Sequence, residues 1–441
     1  MYDLNPPTVY AHESVMVDAR YRSRVERVVA ALREPREIVT YADADLPDMV
    51  HHRGLLDYRS DAMGAYPSVP DPVLLFNTFR FDGADAAARR AAALSEAGVK
   101  AGGHLLQALI GGGAFHWFNA NLPGDRFRND KVCRPCWRIH MQNGCVHKCA
   151  YCPFGGLLAA MVNVEDYCRH LGEIIRRHPW QQTYLIDDDG DPPCLEPELG
   201  TLGPLVEFFG TLKDRYLVIH TKTWNTEWMR DLKHNGNTII VWSLSGATQS
   251  REIEPVTGTT EQRVEAARVA QEAGYTIRYK FKPIVPVRTW REDAAEAVRL
   301  AFERTRPDNI SLCTFMWMDV EEMEHRLPAE VLDPDFLAAA RRERDRMADT
   351  RARPFPDEVR QAIYEHYLAE IRRRDPDVPV CLSTENFRMW SRMGPKLGFT
   401  ATDYVCGCGP QSTPWKRRLQ CHPFQVAVPD ADDVPGVLWD N

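Results

Sequence analysis

Three cysteines within eight residues carry the clearest chemical signal in this sequence. Cys145, Cys149 and Cys152 lie in the stretch NGCVHKCAYCPFGG, in the spacing C-x3-C-x2-C. Clusters of four irons in ferredoxins take four cysteine ligands. Three thiolates around such a cluster would leave one iron open to a ligand that is not protein. We therefore predict an iron–sulfur cluster with one exchangeable position.

A zinc site is the alternative for the same cysteines. Zinc in structural sites takes four ligands at characteristic spacings. No fourth cysteine or histidine follows at such a spacing, although His147 lies inside the loop. The pattern therefore favours the open iron–sulfur cluster.

From residue 137 onward, strand-like segments alternate with helix-like segments. The predicted strands cover 137–142, 183–187, 216–221, 238–246, 275–286, 309–315 and 378–386. The predicted helices cover 163–177, 203–213, 226–234, 260–273 and 290–305, and Thr259 with Gln262 forms a candidate capping box. This alternation predicts an α/β fold with a parallel sheet, a full or partial (β/α) TIM-like barrel. A doubly wound sheet is the alternative.

Three regions are expected along the chain. Residues 1–130 read as an α-rich N-terminal extension, and 131–395 as the barrel, with a helical insertion near 329–374. Residues 396–441 form a cysteine-containing C-terminal tail. The cysteine loop follows the first predicted barrel strand, at the edge where barrel enzymes place their active sites.

Composition narrows the class of protein. The formal net charge of −8 disfavours a nucleic-acid partner, which usually requires a basic surface. No apolar run is long enough for a membrane helix, and the first residues do not resemble a signal peptide. We therefore expect a cytoplasmic protein without a membrane partner. In a reducing compartment its twelve cysteines indicate metal or redox chemistry.

The segment CVHKCAYC resembles the signature of the radical SAM superfamily, including the aromatic Tyr151 before the third cysteine. The resemblance implies a [4Fe-4S] cluster on Cys145, Cys149 and Cys152, with S-adenosylmethionine on the open iron. It also implies reductive cleavage of that cofactor to a 5′-deoxyadenosyl radical, which abstracts a substrate hydrogen. An electron donor would be needed, such as a flavodoxin, a ferredoxin or a dedicated reductase.

Further segments resemble the spore photoproduct lyase group within that superfamily. They are the stretch 241–286, which begins VWSLSGATQSREIEPVTG, HTKTW at 220–224, and LSTENFRMW at 382–390. The resemblance covers about 137–395 and implies the same barrel. Residues 1–130 and the tail lie outside it.

The resemblance also implies a set of cofactor-binding residues. Asp189-Gly190-Asp191 resembles, imperfectly, the Gly-Gly-Glu-like motif that holds the methionine amino group. The residues implied to contact the cofactor are Tyr151, Asp189, Asp191, Ser243, Ser245, Glu254 and Lys282, with Lys222 as a second carboxylate partner. Strand alternation independently places Arg278, Lys280 and Lys282 inside the barrel and Ile277, Tyr279 and Phe281 against the outer helices.

Two further cysteine pairs lie far apart in the chain. CRPC contains Cys133 and Cys136, and CGCG contains Cys406 and Cys408, with Cys421 beyond. Together they could hold a second metal, either zinc or an auxiliary iron–sulfur cluster. This set departs from the spore photoproduct lyase pattern.

The favoured function is a radical dehydration of a small aminosugar. Overall size and motif resemble the radical SAM diol dehydratases of aminoglycoside biosynthesis. Four carboxylates at 187–191 suggest a cationic ligand, because carboxylates clustered at a site need cations nearby. Glu385, Asp189 and Lys222 are the candidate acid and base.

Two other functions remain open. A lyase that repairs a DNA lesion is favoured by the barrel resemblance and opposed by the net charge and the extra cysteines. A non-enzymatic iron–sulfur protein ranks last, because the open iron would then have no role.

Overall fold

The computed structural model describes residues 1–56, 70–99, 103–118 and 131–419. Two sheets organise these residues. The strands are β1 Val9–His12, β2 Ile38–Tyr41, β3 Val73–Asn77, β4 Phe115–Phe118, β5 Cys136–Ile139, β6 Gln142–Asn143, β7 Leu157–Met161, β8 Thr183–Ile186, β9 Tyr216–Thr221, β10 Thr238–Ser243, β11 Thr276–Ile284, β12 Ile310–Thr314 and β13 Val380–Leu382.

The larger sheet has eight strands in the order β13-β12-β11-β10-β9-β8-β5-β4. All neighbours are parallel except the antiparallel pair β4 and β5. The strand order never reverses, whereas a doubly wound sheet reverses at its switch point. Among the described residues β13 does not pair with β4, so the sheet is open. The predicted parallel α/β fold is confirmed, and the open sheet agrees with its partial-barrel form.

The smaller sheet has five strands in the order β2-β1-β3-β7-β6. Its first three strands belong to the N-terminal region, for which the sequence pattern predicts mainly helix. The other two strands, β6 and β7, flank the cysteine loop and pair antiparallel. The N-terminal region is therefore not a separate α-rich layer, because its sheet continues into the strands that carry the cysteines.

Helices surround these sheets. They are Glu13–Met16, Ala19–Ala30, Leu46–His51, Ala84–Glu96, His104–Leu109, Val164–Arg177, Leu202–Gly210, Ala247–Glu252, Thr260–Glu272, Trp290–Arg304, Val320–Arg326, Pro334–Arg342, Arg344–Met347, Asp357–Arg374 and Phe387–Leu397. The capping box of Thr259 and Gln262 forms as predicted. The helix predicted over 226–234 is wrong, since only the short 3-10 turn Glu227–Met229 forms before Asn235 turns the chain with a positive φ.

Alternation along β11 agrees with the sequence pattern. Ile277, Tyr279 and Phe281 belong to the main hydrophobic core with residues of the outer helices. Arg278 lies on the opposite face and donates to carbonyls of the C-terminal tail. A small apolar cluster on the same inner side contains Ile239 and Val241, with Cys408 packed against it.

The tail therefore fills part of the barrel interior. Gln182 and Thr183, at the start of β8, donate their backbone N–H groups to the carbonyl of Pro410. Arg278 donates to the carbonyls of Gly407 at 3.0 Å and Ser412 at 2.8 Å, and to Asp308 at 2.7 Å. These bonds bring the CGCG segment next to the inner face of the sheet.

In the part of the chain that the structure describes, no helix has the length and apolar character required to cross a membrane.

We predict that Arg278→Met destabilises the fold by about 3–5 kcal/mol, because it leaves Asp308 buried without its cation. The free energy of unfolding, measured by denaturant titration, checks this. Arg299→Met is the matched control, since Arg299 pairs with Glu296 and Glu303 on an exposed helix face. Its cost should stay below about 1 kcal/mol. Equal costs for the two variants would contradict the assigned role of Arg278.

Candidate active site

The three cysteines of the C-x3-C-x2-C motif line one cavity. Cys145, Cys149 and Cys152 border the same small cavity, together with Gly155 and Gly156. The cysteine loop connects β6 to β7, just beyond the carboxyl end of β5. The loop therefore lies at the edge of the sheet that the sequence predicts.

Two glycines bring the cysteine loop against the turn after β8. Gly144 has a φ of +99°, and a Cβ atom there would lie 2.0 Å from the carbonyl oxygen of Leu157. A Cβ on Gly190 would lie 2.9 Å from the Gly144 carbonyl. The two glycines form a parallel bridge, and Gly144 donates its N–H to the carbonyl of Asp189. Glycine is required at Gly144 because no side chain fits the backbone that approaches it.

The spacing of the sulfur atoms argues against a single zinc ion. Zinc holds tetrahedral thiolates at about 2.3 Å, so their sulfurs lie about 3.8 Å apart. Across the described ranges, no three cysteine sulfurs lie within 4.8 Å of one another. Three thiols that share one cavity at a wider spacing fit a larger metal–sulfur core, such as a [4Fe-4S] cluster.

Without a bound metal, these three thiols are protonated at neutral pH. Burial raises the pKa of Cys145 and Cys149, and raises that of Cys152 to about 12. A coordinated metal deprotonates such thiols outright. The donor set therefore fits a resident cluster better than a set of reactive nucleophiles.

A fully buried carboxylate, Glu254, organises the side of the cavity near Cys149. Its Oε1 accepts from Tyr151 Oη at 2.6 Å and from Lys222 Nζ at 2.8 Å. Its Oε2 accepts from Arg263 at 2.8 Å and from Ser245 Oγ at 3.0 Å. Burial alone would raise the pKa of Glu254, but Lys222 and Arg263 outweigh it and hold the pKa well below its usual range. Glu254 is therefore ionised in the folded protein.

Lys222 links this carboxylate to the cysteine loop. Its Nζ lies 3.8 Å from Cys149 Sγ and 5.0 Å from the centre of the Tyr151 ring. Burial opposes its charge, but Cys149 and Glu254 together raise its pKa above the ordinary value. Lys222 is therefore protonated, and it can donate a proton or a hydrogen bond.

The structure thus places several predicted cofactor-binding residues together. Glu254 bonds to Tyr151, Ser245 and Lys222. The carbonyl oxygen of Ser243 accepts a hydrogen bond from Arg263. Their direct contact with S-adenosylmethionine stays a prediction. The sequence pattern does not indicate Arg263, which lies one helical turn after the capping residue Thr259 and is completely buried.

The four aspartates after β8 do not form an open acidic mouth. Asp187 accepts the backbone N–H groups of Met141 and Gln142, and Asp188 pairs with Arg138. Asp191 accepts from Thr221 Oγ1 at 2.8 Å and from the N–H of Lys222 at 2.7 Å. Only Asp189 and Asp188 are even partly exposed. The four carboxylates therefore no longer provide an electrostatic argument for a cationic substrate.

His147 uses its ring away from the cysteine sulfurs. Its Nε2 lies 2.6 Å from Tyr2 Oη, and its Nδ1 lies 3.5 Å from Asp191 Oδ2. Burial lowers its pKa to about 3, so the ring is neutral. Both ring nitrogens have partners, so His147 does not complete a zinc site with the motif cysteines.

Glu385 lies in a buried ion pair beyond the end of β13. Its Oε1 accepts from Arg360 at 2.8 Å and from Tyr364 Oη at 2.7 Å. The pair joins helix Asp357–Arg374 to this end of the sheet. The predicted acid–base role of Glu385 remains untested, and its carboxylate has close structural partners.

A group of cations without carboxylate partners faces the interior. It comprises Lys131, Lys282 and Arg351, none of which forms an ion pair within the described part of the chain. Burial and Arg351 lower the pKa of Lys131 to about 8, and burial and Lys280 lower that of Lys282 to about 8. The sequence pattern indicated Lys282 but missed the other two. An anion placed among these groups would be stabilised by all three.

The second cysteine set also comes together in part. Cys406 and Cys408 lie close enough to shift each other's pKa, and Cys133 and Cys408 both lie near Cys136. Cys406, Lys280 and His220 lower the pKa of Cys408, whereas the pKa of Cys406 is raised. Cys421 lies outside the described residues. Two pairs separated by some 270 positions thus meet at the barrel interior.

Comparisons with known proteins point to one family. A family model described as spore photoproduct lyase matches residues 128–326, less than half of the chain. The spore photoproduct lyase of Clostridium acetobutylicum is 24% identical over 183 residues, which is 40% of this chain and 54% of that protein. The Bacillus subtilis protein is 26% identical over 163 residues, covering 35% and 48%. This chain spans about half the length of the curated relatives it matches.

Solved structures of spore photoproduct lyase share the fold. One, complexed with dinucleoside spore photoproduct, gives a TM-score of 0.58 at 15% identity and covers 86% of this chain and 99% of that chain. Another has bound AdoMet as well and gives the same values. Together with the sequence matches, they show that this chain is similar to spore photoproduct lyase in sequence and in fold. They give no support to the predicted aminosugar dehydratase.

We predict that Glu254→Gln lowers stability by about 3–5 kcal/mol at neutral pH, because Lys222 and Arg263 lose their buried counterion. A folded-state pKa below the unfolded value of about 4.3 stabilises the protein above that pH. Wild-type stability should therefore fall as the pH drops below about 5, with a shallower fall in the variant. Denaturant titrations across this range measure both effects.

Glu227→Gln is the control, since Glu227 forms an exposed pair with Arg230. It should change stability by less than about 1 kcal/mol. A Glu254→Gln protein as stable as this control would show that the buried network does not organise the site.

Proposed function

We propose that this protein is a radical SAM lyase whose substrate is anionic and built from nucleotides, as in a lesion of a DNA strand. The observation that carries the proposal is the meeting of Cys145, Cys149 and Cys152 at one cavity on the carboxyl edge of a parallel sheet. When bound there, a [4Fe-4S] cluster and S-adenosylmethionine would supply an electron and a 5′-deoxyadenosyl radical.

The residues around the cavity support this chemistry by positioning and charge. Lys222 lies within reach of Cys149 Sγ and would offset the negative charge that metal-bound thiolates carry. Glu254 fixes Lys222, and Tyr151 bonds to the same carboxylate. The ammonium group is therefore held in one place before any ligand arrives, which avoids reorganisation during the reaction.

The choice of substrate class rests on charge in the interior of the barrel. Lys131, Lys282 and Arg351 suit phosphate oxygens, while the aspartates after β8 are engaged by Arg138 and by backbone N–H groups. The curated relatives are named spore photoproduct lyases. A local basic interior can accept an anion although the whole chain carries a net charge of −8.

We also propose that Cys133, Cys136, Cys406 and Cys408 hold a second metal, for which the sulfur spacing favours an iron–sulfur cluster over a single zinc ion. Support comes from the lowered pKa of Cys408, since a thiolate is the form that binds metals. Gly409 supports the close packing of the pair, because a Cβ there would lie 2.6 Å from Cys406 Sγ.

We predict that Ala substitution of Cys145, Cys149 and Cys152 together abolishes 5′-deoxyadenosine formation after iron–sulfur reconstitution and chemical reduction. The reason is the loss of every protein ligand of the cluster. Cys168→Ala, in a helix away from the cavity, should retain activity.

In the triple variant, metal analysis should still find the second metal, and its absence would remove that part of the proposal.

The substrate class has its own test with the wild-type protein. Dinucleotide spore photoproduct should be converted to thymine products, whereas the aminosugar paromamine should not be consumed. Consumption of paromamine alone would overturn the proposed substrate class but leave the radical chemistry standing.

We predict that affinity for the phosphate-linked lesion falls as pH rises through about 8, because Lys282 and Lys131 lose their charge there.

Lys282→Met should weaken binding about 10- to 150-fold, the range of one charge-assisted bond of about 1.5–3 kcal/mol. The matched ligand is the dinucleoside lesion without phosphate, whose affinity should change little. The exposed Lys213→Met serves as the protein control, and a pH-independent affinity would contradict the assigned role.

A further inference from the structure

Three histidines that no sequence motif connects lie together between the N-terminal region and the barrel. Their ligand nitrogens all fall within 4.8 Å of one another. His104 begins helix His104–Leu109, His116 lies on β4, and His140 directly follows β5. The antiparallel pairing places His116 opposite Arg138, so His140 is its diagonal neighbour on the same face.

The three rings face one another at close range. His116 Nδ1 lies 2.8 Å from His140 Nε2. The ring centroid of His104 lies 4.3 Å from that of His116 and 4.9 Å from that of His140. His116 and His140 are buried, and His104 is half-buried. Three imidazoles thus point their nitrogens at a common volume.

The protonation state suits metal binding. A metal binds the neutral imidazole, so protonation competes with it. Burial and the neighbouring histidines lower the pKa of His116, and burial lowers that of His140 to about 3. At neutral pH these two rings are therefore neutral, and each can offer a lone pair to a metal once the hydrogen bond between them is broken.

A carboxylate lies behind one ring, as is usual for metal-bound histidine. His140 Nδ1 lies 3.8 Å from Asp187 Oδ1 and is buried without a hydrogen-bond partner among the described residues. Metal-ligating histidines almost always present their other nitrogen to a carboxylate or carbonyl. Asp187 itself is held by the N–H groups of Met141 and Gln142. Arg138 opposes a cation here, but it is paired with Asp188.

The space beside the rings leaves room for a fourth ligand. A small cavity, with room for about one water molecule, borders His104 and His140, together with Gly112, Gly113 and Gln142. Zinc sites with three protein ligands keep their fourth position for water or another small ligand. Both the number of ligands and the adjacent space match that arrangement.

We propose that His104, His116 and His140 bind one zinc-like divalent ion, with the fourth position open to this cavity. The ion replaces the contact between His116 and His140, since zinc at about 2.0–2.1 Å from each nitrogen sets them about 3.4 Å apart. It joins helix His104–Leu109 to β4 and β5. This site is separate from both cysteine sets and does not depend on the proposed radical chemistry.

Metal analysis of the whole chain tests the site. Zinc content is measured after purification, and after chelator treatment followed by dialysis against zinc chloride. His116→Ala and His104→Ala should each lose about one zinc per chain relative to wild type. His366→Ala is the control, because His366 lies partly exposed on helix Asp357–Arg374 and contacts the carbonyl of Arg291. Iron content and 5′-deoxyadenosine formation should not depend on zinc occupancy.

Cobalt(II) identifies the ligands independently of activity. Bound at three imidazoles it gives visible absorption bands without the intense sulfur-to-metal charge transfer that thiolates add. We expect this imidazole-type spectrum in a variant with Ala at Cys145, Cys149, Cys152, Cys406 and Cys408. The spectrum should be lost when His104→Ala is added, which changes only a half-buried side chain. A zinc content unchanged by His104→Ala and His116→Ala, or a cobalt spectrum of thiolate type alone, overturns the proposal.

Discussion

The buried carboxylate of Glu254 is the contact on which the arrangement of the candidate site depends. Among its partners are residues from four separate places in the chain, which are the cysteine loop (Tyr151), the end of β9 (Lys222), the end of β10 (Ser245) and helix Thr260–Glu272 (Arg263). A buried charge is costly unless it is paired and fully hydrogen-bonded. The four segments must therefore be in place together before this carboxylate can be buried, and the cysteine loop is then positioned against the sheet.

The elements around this site were largely predictable because local patterns determine them. The bounds of β9 match the prediction, and the Thr259 capping box forms as expected. The N-terminal sheet was missed for a physical reason. Its strands β1 and β3 are short and buried at every position, so they show no alternation of polar and apolar residues. A short continuous apolar run does not distinguish a strand from a buried helix.

The long-range partners could not be predicted from pattern. Gly144 and Gly190 meet through a bridge between segments that are distant in sequence, and the turn signals around each glycine do not identify its partner. The aspartates after β8 read as an exposed acidic turn, yet Arg138 and two backbone N–H groups engage two of them. The same limitation hid the three histidines, which are 12 and 24 positions apart in sequence and are brought together by the pairing of β4 with β5.

The interior of the barrel has a sign of charge opposite to that of the whole chain. Arg278, Lys280 and Lys282 alternate along β11 on its inner face, and within the described residues Arg278 alone of the three is neutralised, by Asp308. The tail places Cys408 near Lys280, whose positive charge favours the thiolate form of Cys408. A metal–thiolate site at the tail and an anionic substrate near the cavity would then draw on one positive field. Because each anion that binds reduces the field left for the other, the charge of the second metal site would set how strongly the barrel attracts its substrate.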